Sequence, residues 1–357
     1  MKTILGLAVG AGFLYLFAHK LDWAQVWNEV RKADWTLLGL AVALMVGTYF
    51  VRVLRWRALL AHMARPPLSA LFRATMIGFS ALFIMGRAAE IIVRPAVLSV
   101  KERVPLSASY ATVMIERVFD MAMVVIFFAV NLVFFEEPLD LEAQRQFGWI
   151  KITGIILLLS AAAGIYGLWA FHYHRESALK YLERKLARLP SNIARGLLSL
   201  LRHISEGLSI LHNARELAVT LSYTVLLWLM VAAGHLLVVR AFGIGYDMVP
   251  FTGAVFVMGV SMLGSVVPTP GGATGPFHIA TAAALMFLGV DQSHAASVAI
   301  ILHPIIFAPA TVFGLFYITK SGLSLDRLRR IGERRENANF EVVAAEEDKH
   351  EAVILPG

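Results

Sequence analysis

The chain has 357 residues, 58% hydrophobic and only 16% charged, with a mean hydropathy of +0.68. That leaves too few polar residues to clothe a soluble domain of this size, so an all-α, polytopic integral membrane protein is expected. There is no Cys, which excludes disulfides and thiolate metal sites, and the net charge of +7 lies in loops between apolar runs, a pattern of membrane orientation rather than nucleic-acid binding.

A spanning helix needs about 20 apolar residues to cross a core of about 30 Å. The first run, Ile4–Phe17, follows Met1-Lys2 as a signal peptide would. No small-residue cleavage site comes after it, so it reads as a retained first helix. Trp23–Asp34 is mixed, with Trp23, Trp27 and Trp35 placed as interfacial anchors. Trp35–Leu54 is the second span. Leu71–Met85 and Ile91–Val100 are short apolar arms around Gly86-Arg87-Ala88-Ala89-Glu90, the second arm holding Arg94 and Pro95. Ala111–Phe135, Ile150–Phe171 and Leu217–Val239 are the next three spans. Phe251–Val267 and Ala280–Val290 again flank a break, Pro268-Thr269-Pro270-Gly271-Gly272, and Ala295–Ile318 is the last span. Two arms around a polar or Gly/Pro break are the mark of a re-entrant pair, which needs protein or a wet cavity around its backbone.

Charge orients these pieces. Arg52–Arg73 carries five Arg, Arg87–Arg103 four Lys/Arg, His172–Arg215 eight and Lys320–Arg335 six. Glu136–Gly148 carries only Arg145, and Arg240–Val249 only Arg240. The first group is expected inside and the second outside. The counts agree if one re-entrant hairpin (about 68–103) opens inward and the other (about 250–291) outward. About six spanning helices plus two hairpins then form two inverted-topology repeats, residues 1–135 and 136–319, with a charged tail at 320–357 and both termini cytoplasmic. That is a transporter layout, with a site near the midplane. Between the repeats, the basic segment 173–215 places Leu179, Leu182, Leu186 and Leu189 on one stripe. It reads either as a helix on anionic headgroups or as a connector packed on the bundle.

Ionisable residues inside a bilayer cost at least about 2.5–3.5 kcal/mol each, so they need partners and a reason. In a helical Gly86–Pro95 segment, Glu90 reaches Arg87 and Arg94 at three and four residues. The pair of guanidiniums offers a fork for phosphate; alternatively the triad neutralises itself and holds the hairpin shut. Glu116 and Asp120 share a face, and Arg117 meets Asp120. These carboxylates balance Arg87 or Arg94, or carry a coupling proton, or form ordinary ion pairs near the inner interface. The Pro268, Pro270, Gly271 and Gly272 turn reads either as an open anion-accepting turn or as a plain outer loop. His278 and His303 are candidate proton carriers or headgroup donors, against the commoner packed histidine. No zinc-protease, nucleophile-elbow or phosphate-loop motif is present, and no cofactor is expected.

At these residues the sequence resembles the flippase-like transmembrane region of the lysylphosphatidylglycerol synthase family. The family's Gly-Arg-x-Gly-Glu-x-x-Arg-Pro stretch matches Gly86, Arg87, Glu90, Arg94 and Pro95, with Ala89 in place of the usual Gly. Its Glu-Arg-x-x-Asp stretch matches Glu116, Arg117 and Asp120, and its Pro-x-Pro-Gly-Gly matches Pro268, Pro270, Gly271 and Gly272. Many members carry a Glu after that turn and an Arg in the last helix, where this chain has Pro276, His278 and His303-Pro304. The resemblance covers roughly residues 5–320. It implies a lipid flippase-like transporter of the inner membrane, with phospholipid, polyprenyl-phosphate or hopanoid-type lipids as partners. The 37 residues after Lys320 are too few for the family's soluble aminoacyl-transferase domain, so the chain is not expected to charge lipids itself. The alternatives are a membrane enzyme that modifies lipid, with His278 or His303 as acid or base, and a scaffold for a lipid-modifying enzyme.

Overall fold

The computed structural model describes residues 2–19, 21–61, 63–102, 104–134, 214–267 and 269–321, with parts of 152–166. Expectations for the loop at 136–149, nearly all of the basic segment 173–215 and the tail beyond 321 lie outside the described residues, as does most of the span at 150–171. The described helices are α1 (Lys2–Ala18), α2 (Trp23–Lys32), α3 (Trp35–Leu60), α4 (Leu68–Met85), α5 (Arg87–Glu102) and α6 (Leu106–Phe134). They continue with α7 (Ala214–Ala241), α8 (Phe251–Gly264), α9 (Pro276–Phe287) and α10 (Gln292–Ser321). No strand occurs among the described residues.

Among the described residues, three helices are long and apolar enough to cross a membrane: Trp35–Leu60, Arg215–Ala241 and Gln292–Lys320. Shorter apolar helices lie at Val9–Ala18, Leu68–Ile84 and Phe251–Gly264. Helix α6 has the length, 29 residues, but holds Glu116, Arg117 and Asp120 within it. Apolar surface on this scale is stable only in lipid.

The helix starts are written locally. Asp22 Oδ1 accepts from the amides of Ala24 (3.0 Å) and Gln25 (3.1 Å) and so begins α2. Asp34 does the same for α3 through Thr36 (2.8 Å) and Leu37 (3.2 Å). The mixed stretch after the first span is therefore a helix. It buries Val26 and Val30 and leaves Trp23 and Trp27 exposed. Indoles on an exposed face suit the headgroup level.

Helix α3 runs past Leu54 to Leu60, so Arg52 and Arg55 are helical and enclosed by protein rather than part of an inner loop. Arg57, Arg65 and Arg73 remain exposed and keep that end basic. The reason Arg55 can be enclosed lies in α6, described below.

Two helix pairs fold back on themselves. Gly86, at φ 96°, reverses the chain between α4 and α5 with no further residue, a conformation open to Gly at little steric cost. The arms then pack closely enough that a Cβ at Gly78 would lie 2.9 Å from Cβ of Arg94. Helices α8 and α9 form the second hairpin, joined across its arms by Ser261 and Thr281 hydroxyls at 2.8 Å. Its tip is a left-handed turn, with Gly271 at φ 75°, Gly272 at φ 68° and Ala273 at φ 64°. Gly271 and Gly272 thus adopt the left-handed conformation that glycine allows at little steric cost.

Helices α3 and α7 run antiparallel along one another. Asp34 N–H donates to Ala241 O (2.7 Å) at one end, and Arg55 Nη1 donates to Thr224 Oγ1 (3.0 Å) at the other. Between them the seats are reciprocal: the Met230 methyl lies against Gly47, and the Met45 methyl against Gly234. Around this seam, α4 packs on α5 and α10, while α8 packs on α9 and α6. The turn at 270–273 packs on α4 and α1, so the ends of the two hairpins meet.

Candidate functional site

Glu116 and Asp120 lie one helical turn apart on α6 and face α3, α5 and α7. Asp120 receives a forked pair of bonds from Arg55, Nη1 to Oδ1 at 2.7 Å and Nη2 to Oδ2 at 3.1 Å. Trp228 Nε1 on α7 donates to Asp120 Oδ1 (3.3 Å), and Arg52 Nη1 reaches Oδ2 (3.5 Å). Glu116 is shared: Arg55 Nε donates to one oxygen (3.3 Å) and Arg94 Nη1 to the other (2.6 Å). Arg117 Nη2 donates to Glu90 Oε1 (2.9 Å), and its Nη1 lies 3.6 Å from Asp120 Oδ2. The Arg94 guanidinium also covers the Trp56 ring at 3.9 Å, and Trp56 Nε1 donates to Thr112 Oγ1 (3.0 Å).

This corrects two expectations. The partner of Glu90 is Arg117 across the helix interface rather than Arg94 within α5, while Arg94 pairs with Glu116, one of the carboxylates expected to balance the arginines. Asp120 is not a simple surface pair with Arg117, because Arg55 holds it bidentately in the interior. The physical reason is common to both. Neighbours along one helix meet at modest energy, whereas a buried charge needs direct, oriented and desolvated partners. Three helices converge to supply them. Arg52, Arg55, Trp56, Thr224 and Trp228 belong to the cluster and were not among the residues singled out in the sequence. The signal available was Arg52 and Arg55 one turn apart at the end of an apolar run, next to Trp56.

Charge does not balance within the cluster. Arg52, Arg55, Arg94 and Arg117 face Glu90, Glu116 and Asp120, which leaves one positive charge in excess. Arg94 Nε and Nη2 and Arg117 Nε are buried without a hydrogen-bond partner among the described residues. Unpaired guanidinium N–H groups in an enclosed site are rare and demand an acceptor. Arg87 opens α5 at the hairpin tip, and its side chain lies outside the described residues.

The second group of candidate residues gathers where the hairpin tips meet. His278 stands in the first turn of α9, and its Nδ1 accepts from the Gly275 N–H at 3.3 Å, the return half of a capping box. His303 Nε2 donates to Gly272 O at 3.2 Å. The two rings lie 4.7 Å apart between centroids, within reach of Phe17, Phe83, Phe277 and Phe307. Gly271 and Gly272 form the turn itself; Pro268 and the Pro270 side chain lie outside the described residues. The structure thus brings Glu90, Arg94, Glu116, Arg117 and Asp120 into one cluster and Gly271, Gly272, His278 and His303 into another. Among the described residues no group of three or more His, Cys, Asp or Glu could hold a metal ion.

The profile of the family described as the lysylphosphatidylglycerol synthase TM region matches residues 3–314, and the chain belongs to that family. No curated protein matches the chain.

Proposed function

We propose that this multi-pass membrane protein is a lipid flippase-like transporter that moves an amphipathic, phosphate-bearing lipid between the leaflets of the inner membrane, with both termini cytoplasmic. The observation that carries the reading is the buried cluster with one guanidinium in excess and unpaired donors on Arg94 and Arg117. A phosphate oxygen would satisfy those donors and cancel the excess charge. Membership of a lipid-related membrane family points to the same class of ligand.

The layout we propose is two inverted repeats, residues 1–135 and 136–319, each with a re-entrant hairpin. Three features support it. Helices α3 and α7 are antiparallel and seat each other reciprocally. The packing partners of α4 and α8 correspond when the repeats are exchanged. Glu90 and His278 both occupy the first turn of a second hairpin arm, and Arg117 lies as far along α6 from Leu106 as His303 lies along α10 from Gln292. Arg94 is fully enclosed, so lipid would reach it only when the α4–α5 hairpin parts from α6. Rocking of one repeat against the other supplies such a motion.

The test is transport in liposomes. Fluorescent phospholipid and polyprenyl-phosphate analogues are placed in one leaflet and followed by dithionite quenching, with wild type compared against Arg94→Gln. Movement that needs Arg94 is expected. Equal movement by wild type and variant, both folded and inserted, would sink the assignment of the cluster. No movement of any analogue would favour a lipid-modifying enzyme or a scaffold instead.

A further inference from the structure

The histidine pair at the hairpin tips plays no part in the arginine cluster and has its own chemistry. His278 Nδ1 accepts an amide N–H, so the proton of the neutral ring belongs on Nε2. His303 stands against the backbone of both Gly272 and Gly271, with Nε2 on the Gly272 carbonyl, so that nitrogen carries the proton and Nδ1 keeps a lone pair. Each ring is only 7% exposed. Neither His278 Nε2 nor His303 Nδ1 has a hydrogen-bond partner among the described residues. The backbone therefore sets one spare donor beside one spare acceptor.

Among the described residues, the rings around the pair are apolar and no countercharge pairs with it. Helix α1 presents Phe17 to the pair, α4 presents Phe83, α9 presents Phe277 and α10 presents Phe307. The other described titratable groups on these helices have neighbours of their own, Tyr317 of α10 packing against Phe72 and Phe316. Tyr15 of α1 stacks on His19, Arg73 of α4 pairs with Glu102, and His294 of α10 binds Glu29 and Asp291. Lys320, at the other end of α10, lies over Phe316. Arg87 begins the neighbouring helix α5, with its side chain outside the described residues. In such a place a proton alone leaves an unpaired buried cation. An anion alone meets one N–H and one lone pair. Each is disfavoured singly, and together they neutralise each other.

We propose that His278 and His303 form a second headgroup site, one that takes up an anionic oxygen group of the phosphate class and one proton together. Protonation of His303 Nδ1 converts the donor–acceptor pair into two N–H donors. The first turn of α9, whose amides at Phe277 and His278 begin the helix, adds positive potential beside them. In the repeat arrangement the pair stands where Glu90 and Arg117 stand in the first repeat, so a permanently charged pair has a titratable counterpart. The proposal rests on the transport reading only for the source of the anion, a lipid rather than a free ion.

Calorimetry on the full chain in a maltoside detergent, which carries no phosphate, tests it. The probes are dihexanoyl-phosphatidylglycerol and, separately, sulfate. Each is titrated at about pH 7.5, above the ordinary imidazole value, in two buffers of different ionisation heat. Uptake of about one proton per anion is expected, with affinity falling about tenfold per pH unit. His303→Gln, which keeps a donor for Gly272 O but holds no proton, should abolish the uptake and weaken binding, and His278→Gln checks the other ring. Arg94→Gln should leave the proton count unchanged, because arginine stays charged throughout. Proton-linked binding of sulfate but not of the lipid would support the site and count against the transport reading. Binding without proton uptake, uptake unchanged in both glutamine variants, or no saturable binding of either probe would overturn the proposal. Should both glutamine variants fail to fold, the wild-type proton count still decides.

Discussion

Replacing Asp120 by Asn tests how the arginine cluster is held together. The carboxylate is 5% exposed and accepts both prongs of Arg55, with Arg52 and the Trp228 indole also in reach. Removing one partner of a buried ion pair costs roughly 3–5 kcal/mol, because the other charge stays buried and unpaired. Here Arg55 keeps Glu116 and Thr224, and Arg117 keeps Glu90, so the lower end, about 3 kcal/mol, is expected. The excess positive charge would rise from one to two. Equilibrium unfolding in mixed micelles, followed by tryptophan fluorescence, measures the loss, and Trp228 reports locally. Arg55→Met combined with Asp120→Leu should restore part of it, with a coupling energy of about 1–3 kcal/mol. A loss below about 1 kcal/mol, the worth of an exposed pair, or a coupling near zero would refute the claim that the cluster locks α3 to α6.

Two further outcomes follow from local geometry. A Cβ at Gly314 would run into Ser80 Oγ and the Met76 carbonyl, so Gly314→Ala should push α10 off α4 and cost about 1–3 kcal/mol in the same unfolding assay. Asp291 caps α10; slight burial opposes its ionisation, but the His294 amide and ring and the Ser293 amide outweigh it and hold its carboxyl below the usual range. Its contribution to stability is therefore complete above about pH 4 and fades as pH falls through the lowered value. The thermal midpoint of wild type relative to Asp291→Asn should narrow on acidification, and a constant gap would contradict this.

How much the sequence discloses depends on whether a signal is local. The break at Gly86 and the turn at Gly271-Gly272 were legible because glycine and proline act on their own backbone. The caps Asp22 and Asp34 were equally local, yet the helix between them was not assigned, since its charges masked a buried stripe as narrow as Val26 and Val30. Arg55, just past the apolar run Trp35–Leu54, reads in the sequence as part of an inner basic stretch. An arginine looks unaffordable inside a membrane until its partners are known, and Asp120 and Glu116 lie on a helix distant in the chain. For the same reason Glu90 and Arg94 looked like mutual partners. The five-residue window shows Arg94 and hides Arg117.

The reciprocal methionine and glycine seats along α3 and α7 bear on where lipid could travel. A branched side chain in a glycine notch would mesh like gear teeth and resist turning. A thioether with three torsions conforms as the notch moves, so this seam can act as a low-friction axle that turns without separating. If the two halves swing about that axle, a central pore never opens along it. On the proposed transport reading, the passage would then lie on the flanks, where α4 packs on α10 and α8 on α6, and would open sideways into the bilayer. Acyl chains could stay in the membrane throughout while the headgroup alone crosses through protein.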